Sequence, residues 1–129
     1  MKKFDDLLKQ MDLNYFGNVK HKISFEKMLE LKKTDKVFIL DVRTKQENEY
    51  MQLPFAHNIP TDEIPDRIHE IPKNKTIAVF CSSATRATIV YTYLLLQDYD
   101  VKIVLDSLGE IAGKFKLGYV LKNCDSIGK

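Results

Sequence analysis

The segment that most constrains this chain is Thr76-Ile77-Ala78-Val79-Phe80, followed by Cys81 to Arg86 and then by helix-spaced residues apolar almost all round. A β-branched, apolar run bounded upstream by Pro72-Lys73-Asn74-Lys75 predicts a strand. In the stretch after it, Ala87, Val90 and Leu94 share one helical face while Ile89, Tyr93 and Leu96 occupy others, so that helix is buried. A sheet carrying such a strand needs a layer on each face.

The remaining patterns supply those layers. Val37-Phe38-Ile39-Leu40 reads as a second strand buried on both faces. Asp41-Val42-Arg43 follows it, and Thr44 with Glu47 forms a capping-box pattern that starts a helix over Lys45 to Met51. Pro54 ends that helix, Ala56 to Ile59 forms a short strand, and Thr61 or Asp62 caps a helix running to about Glu70, with Pro65 in its first turn. Val101 to Leu105 is the last strand and Leu108 to Leu117 a final helix.

Upstream, Ser24 caps a helix with Phe25, Met28 and Leu29 on its apolar face. Phe4, Leu7, Leu8 and Met11 predict an amphipathic helix over roughly the first dozen residues, with Asn14 to Lys20 as a linker. The expected fold is therefore α/β: a mainly parallel β-sheet flanked by helices on both faces, with an N-terminal helical extension. Residues 1–20 form the extension and linker, and residues 21–125 the domain.

A chain of 129 residues suits one domain that needs no metal or disulfide staple. Its net charge of +2 comes from lysines and arginines spread along the chain, with no basic block, so no nucleic-acid partner is expected. No apolar run approaches a membrane span. Asp5 and Asp6 follow the first lysines where a secretory leader would turn apolar, which predicts a cytoplasmic protein. The two cysteines, Cys81 and Cys124, have no Cys or His nearby, so neither a metal site nor a cofactor is expected, and a disulfide is not favoured.

The chemistry then rests on a thiol. Cys81 stands at the carboxyl end of the central strand, where open α/β sheets bind ligands. Ser82, Ser83, Ala84, Thr85 and Arg86 form a short loop into a helix N-terminus, where backbone N–H groups and the helix dipole cradle an anion. The same field favours a thiolate, itself an anion. Arg86 adds bidentate donors, although a salt bridge is the competing role for it. Asp41 and Arg43 read as structural support, Asp41 accepting loop N–H groups and Arg43 pairing with Glu47 or Glu49. His21, His57 and His69 are scattered, and a thiolate nucleophile needs no base. Cys124 reads as a tail residue.

Asp41-Val42-Arg43 after a strand, the glutamate helix at Thr44 to Tyr50, Pro54-Phe55-Ala56-His57-Asn58-Ile59-Pro60 and the strand into Cys81 together resemble the rhodanese family of sulfurtransferases, over roughly residues 22 to 121. The resemblance implies a persulfide cycle: Cys81 takes sulfane sulfur from a small anionic donor such as thiosulfate and yields it to a thiol or cyanide-like acceptor. A persulfide-carrying protein is a further partner it suggests. The backbone amides of Ser82 to Arg86 would hold the sulfur and the donor. Ser82 and Ala84 replace the family's usual basic residue and glycine, which predicts weak use of thiosulfate. Met51-Gln52 replaces a glycine-histidine pair, and Ser107-Leu108 a double glycine.

Two other function classes compete. Cysteine phosphatases and arsenate reductases use a Cys-to-Arg loop, but four residues separate Cys81 from Arg86, one fewer than in the phosphatases that resemble this family. A shorter loop makes a smaller cradle. A non-catalytic interaction module is the other, and such modules usually lack the cysteine.

Overall fold

The computed structural model describes residues 3–105. Its helices are α1 (Phe4–Gln10), α2 (Leu13–Gly17), α3 (Phe25–Lys33), α4 (Lys45–Tyr50) and α5 (Thr85–Leu96). The strands are β1 (Lys22–Ile23), β2 (Val37–Asp41), β3 (His57–Asn58), β4 (Thr76–Phe80) and β5 (Val101–Val104). They form one sheet in the order β1-β5-β4-β2-β3, and every pairing is parallel.

Strand alternation assigns the core to two layers. On one face Leu40, Ile77, Val79 and Ile103 pack against Ala87, Val90, Tyr91 and Leu94 of α5. On the other, Val37, Ile39, Ala78, Phe80 and Val104 pack against Phe25, Met28 and Leu29 of α3 and against Phe55. Cys81 lies two residues beyond Val79 and keeps its phase, so its side chain belongs to the α5 face. This parity aims the thiol at the N-terminus of α5 rather than at α3.

Local chemistry explains where the elements depart from the sequence-based expectation. Asn14 to Lys20 is not wholly a linker: the Asp12 carboxylate accepts the Tyr15 N–H at 2.8 Å and caps α2, which ends at Gly17. Residues 61–70 form two 3₁₀ segments, Thr61–Glu63 and Pro65–Glu70, instead of one capped α-helix. Pro65 has no N–H to offer the Thr61 carbonyl, so the Ile64 N–H takes it at the shorter spacing, at 3.3 Å. Arg67, at φ −117° and ψ 17°, interrupts the next turn. The expected helix over Leu108 to Leu117 lies outside the described residues.

The N-terminal extension is fastened to α5. Leu7 is buried and Met11 packs on the α5-side core. Burial, followed by the hydrogen bond between the Tyr15 and Tyr91 hydroxyls, pushes the Tyr91 phenol well above the usual tyrosine range. Lys102 Nζ donates to the Lys20 carbonyl at 2.8 Å. Leu7→Ala should therefore lower the unfolding free energy by about 2 kcal/mol or more, while Leu8→Ala, exposed one residue on, costs less than about 0.5 kcal/mol. Urea denaturation of both variants checks this; equal, small effects would show that α1 is not part of the cooperative unit.

Candidate functional site

The chain leaves β2 for α4 and β3 on one side, and leaves β4 for α5 and β5 on the other. The adjacent carboxyl ends of β2 and β4 are thus the switch point of the sheet, where connections diverge and a crevice opens. Asp41-Val42-Arg43 and the loop from Cys81 to Arg86 meet there. The Val42 N–H donates to the Phe80 carbonyl at 3.0 Å, which ties the two segments one residue past the strands.

Asp41 and Arg43 form a fully buried ion pair, with Nη2 to Oδ2 at 2.8 Å and Nε to Oδ1 at 3.0 Å. Charges so deep need every partner they can find. The Arg43 N–H also donates to Asp41 Oδ1 at 3.0 Å, Arg43 Nη2 donates to the Met51 carbonyl at 2.7 Å, and the guanidinium lies 5.4 Å from the Phe80 ring centroid. Asn58 Nδ2 donates to the carbonyls of both Asp41 and Arg43 at 3.0 Å. Arg43 therefore pairs with Asp41, not with Glu47 or Glu49; at two residues' separation the partner was too local for a helical-spacing argument.

Glu47 has another role. Its Oε1 accepts the Thr44 N–H at 3.0 Å, while Thr44 Oγ1 accepts the Glu47 N–H at 3.1 Å, completing the capping box of α4. Both Glu47 oxygens also accept from Arg86, Nη1 to Oε1 at 2.5 Å and Nη2 to Oε2 at 2.9 Å. The guanidinium, followed by the Thr44 backbone, holds the Glu47 carboxyl down to about 2, so the pair stays ionised at neutral pH. Arg86 Nη2 reaches Ser82 Oγ as well, at 3.0 Å. The arginine is clamped across the loop and faces back toward α4. The sequence offered a salt bridge as the competing role for Arg86 but not its partner, because Glu47 lies 39 residues away.

Cys81 is 4% exposed. The N–H of Ala87, third residue of α5, donates to Sγ at 3.2 Å, so the sulfur takes a donor that the helix start leaves without a backbone acceptor. Ala84 turns the loop at φ 69°, in the left-handed region that an L-residue enters at a cost of about 1–2 kcal/mol. A cavity of about 170 Å³ opens there, lined by Cys81 to Ala84, Ala87, Val104 and Leu105. Ser83 on the loop and Thr85 at the start of α5 are exposed. This arrangement can hold a sulfur anion beside a helix N-terminus and admit a small group to it.

Comparison with known proteins then decides the lineage: a rhodanese-like domain model matches residues 24–114. The chain belongs to the rhodanese-like domain family. A protein named sulfurtransferase from Allochromatium vinosum is 35% identical over 66 residues, a stretch that covers 51% of this chain and 62% of the relative, somewhat under two thirds of its length. The crystal structure of a rhodanese-like domain protein from Staphylococcus aureus aligns at 30% identity and a TM-score of 0.60, over 69% of this chain and 88% of that one. A rhodanese-related protein from Thermoplasma volcanium shares the fold, at 21% identity and a TM-score of 0.65, over 74% of this chain and 95% of that one.

In this rhodanese-like domain, His57 is taken up by Glu70 at 2.8 Å, and Cys124 lies outside the described residues. Among the described residues, no three His, Cys, Asp or Glu side chains gather as metal ligands, and no helix is long and apolar enough to cross a membrane. The two arginine pairs differ sharply in burial, which gives a test. Arg43→Met strands a buried carboxylate and should cost about 3–5 kcal/mol, whereas Arg86→Met frees the half-exposed Glu47 and should cost less than about 1 kcal/mol. Equal costs in urea denaturation would mean that the Asp41–Arg43 pair does not hold the switch point.

Proposed function

We propose that this domain is a sulfurtransferase that carries sulfane sulfur on Cys81. The observation that carries the reading is the Cys81 sulfur at the wall of a small cavity, with the Ala87 N–H at 3.2 Å and the positive end of α5 behind it. The family of the chain and the name of its Allochromatium relative point to the same chemistry.

The cycle has two displacements. The Cys81 thiolate attacks the sulfane sulfur of a donor; a new S–S bond forms as the donor's own sulfur bond breaks, and the donor remainder leaves with the electron pair. With thiosulfate the products are a Cys81 persulfide anion and sulfite. A thiophilic acceptor, a thiol or cyanide, then attacks the outer sulfur and returns Cys81 as thiolate. Nothing is oxidised or reduced overall, and no metal or organic cofactor takes part.

Each residue has a role in this account. Cys81 is the nucleophile and carrier. The Ala87 N–H meets the charge that moves from thiolate to persulfide, and the backbone amides of Ser82 to Arg86 would hold the sulfur and the donor. Arg86 positions the loop through Ser82 and Glu47. Asp41 and Arg43 hold the strand ends. A persulfide-carrying protein could serve as donor or acceptor, and a cytoplasmic setting, with its reduced thiols, suits the cycle.

Incubation with a sulfane-sulfur donor followed by intact mass spectrometry tests the reading. One sulfur atom should add to the wild type and to Cys124→Ser, and none to Cys81→Ser, because a hydroxyl neither ionises in this field nor holds a sulfane sulfur stably. Undiminished loading of Cys81→Ser would falsify the assignment.

A further inference from the structure

The joint between the N-terminal extension and the domain holds a backbone conformation at odds with its sequence. Asn18 to Lys20 form an exposed turn between α2 and β1, and the left-handed residue in it is Val19, at φ 53°. Gly17 and Asn18, the residue types that enter this region most readily, stand immediately before it. Yet Gly17 closes α2 and Asn18 sits at φ −85°. A β-branched side chain is among the poorest occupants of the left-handed region. The closed turn is therefore strained, and an extended path through it relieves the strain.

The extension is attached through side-chain contacts that a second copy offers equally well. Leu7 is buried, Met11 packs on the core that α5 helps to form, and the Tyr15 hydroxyl bonds that of Tyr91 on α5. The His21 ring, just past the turn, meets those of Tyr15 and Phe16 at centroid distances of 6.1 and 5.0 Å. None of these contacts depends on which chain supplies the extension.

What an open turn gives up is local. The Val19 N–H donates to the Phe16 carbonyl at 3.0 Å, the Lys20 N–H to that of Tyr15 at 3.5 Å and the Lys22 N–H to that of Val19 at 3.4 Å. In an exposed turn water replaces such partners at little net cost. Phe16 and Val19 are exposed apolar side chains in the closed chain. In an exchanged pair the two opened turns run past each other about the two-fold axis, where these residues of both copies can cover one another.

We infer that the N-terminal extension exchanges between two copies of this chain. Residues 3–18 of each copy pack on α5 of the other, and the chain opens at Asn18 to Lys20. The partner is a second copy because the site and the segment that fills it already stand together in one chain; only the connection between them changes. Short strained hinges invite such exchange, and protein concentration sets the balance between closed monomer and exchanged dimer.

The test refolds the full chain from urea, under reducing conditions that exclude disulfide-linked dimers, at low and at high protein concentration. Sedimentation equilibrium should give monomer at the low concentration and dimer at the high one. In a dimer refolded from isotope-labelled and unlabelled chains, isotope-filtered nuclear Overhauser spectra should show the Tyr15 ring of one chain against Tyr91 of the other. Val19→Gly and Val19→Asn, which both accept the left-handed turn, should lower the dimer association constant by about thirtyfold, because each dimer relieves two hinges. Val19→Pro, whose φ excludes the closed turn, should raise it. A monomer at every concentration would overturn the inference. So would a dimer whose Tyr15–Tyr91 contacts lie within one chain, or an association constant that the folded Val19 variants leave unchanged.

Discussion

The buried pair of Asp41 and Arg43 is the constraint on which the functional end of the fold depends. Parallel strands bond side by side, but nothing in their ladder fixes what happens past their carboxyl ends. Here one carboxylate and one guanidinium, both out of water, collect the Arg43 N–H, the Met51 carbonyl and the face of Phe80. Asn58 ties the backbone carbonyls of the same two residues to β3. Removing either charge would strand the other out of water. Arg43 reaches the backbone carbonyl of Met51 and not its side chain.

The loop from Cys81 to Arg86 inherits its position from that arrangement. Val42 fixes Phe80, strand parity turns Cys81 toward α5, and the Ala87 N–H meets the sulfur. The left-handed Ala84 lets the chain reverse within four residues, which keeps the cradle small. Glu47 then links α4 to the loop through Arg86. Two ion pairs thus serve different ends: the buried one holds the strand ends, and the partly exposed one ties the loop to α4.

Much of this was legible in the sequence because it depends on local pattern. The strand over residues 76–80, the Ser24 cap and the Thr44–Glu47 capping box are short-range features, and all three stand in the structure. Placing Cys81 beyond a strand end and before a buried helix likewise needed only adjacent residues. What escaped was either non-local or dependent on a missing N–H. The Arg86–Glu47 bridge joins residues 39 apart, β1 gains its identity only by pairing with β5, and Pro65 divides a segment whose composition looks helical. The Asp12 cap of α2 is a local signal too, and the linker expected over Asn14 to Lys20 left it out.

The central claim is that the sulfur resides on Cys81. Peptide mapping addresses it most directly: the protein is loaded from a persulfide donor, its thiols are blocked by alkylation, and it is digested and sequenced by tandem mass spectrometry. The account predicts one added sulfur atom on the peptide containing Cys81 and none on the peptide containing Cys124. Extra sulfur on the Cys124 peptide, with the Cys81 peptide carrying only the blocking group, would contradict it.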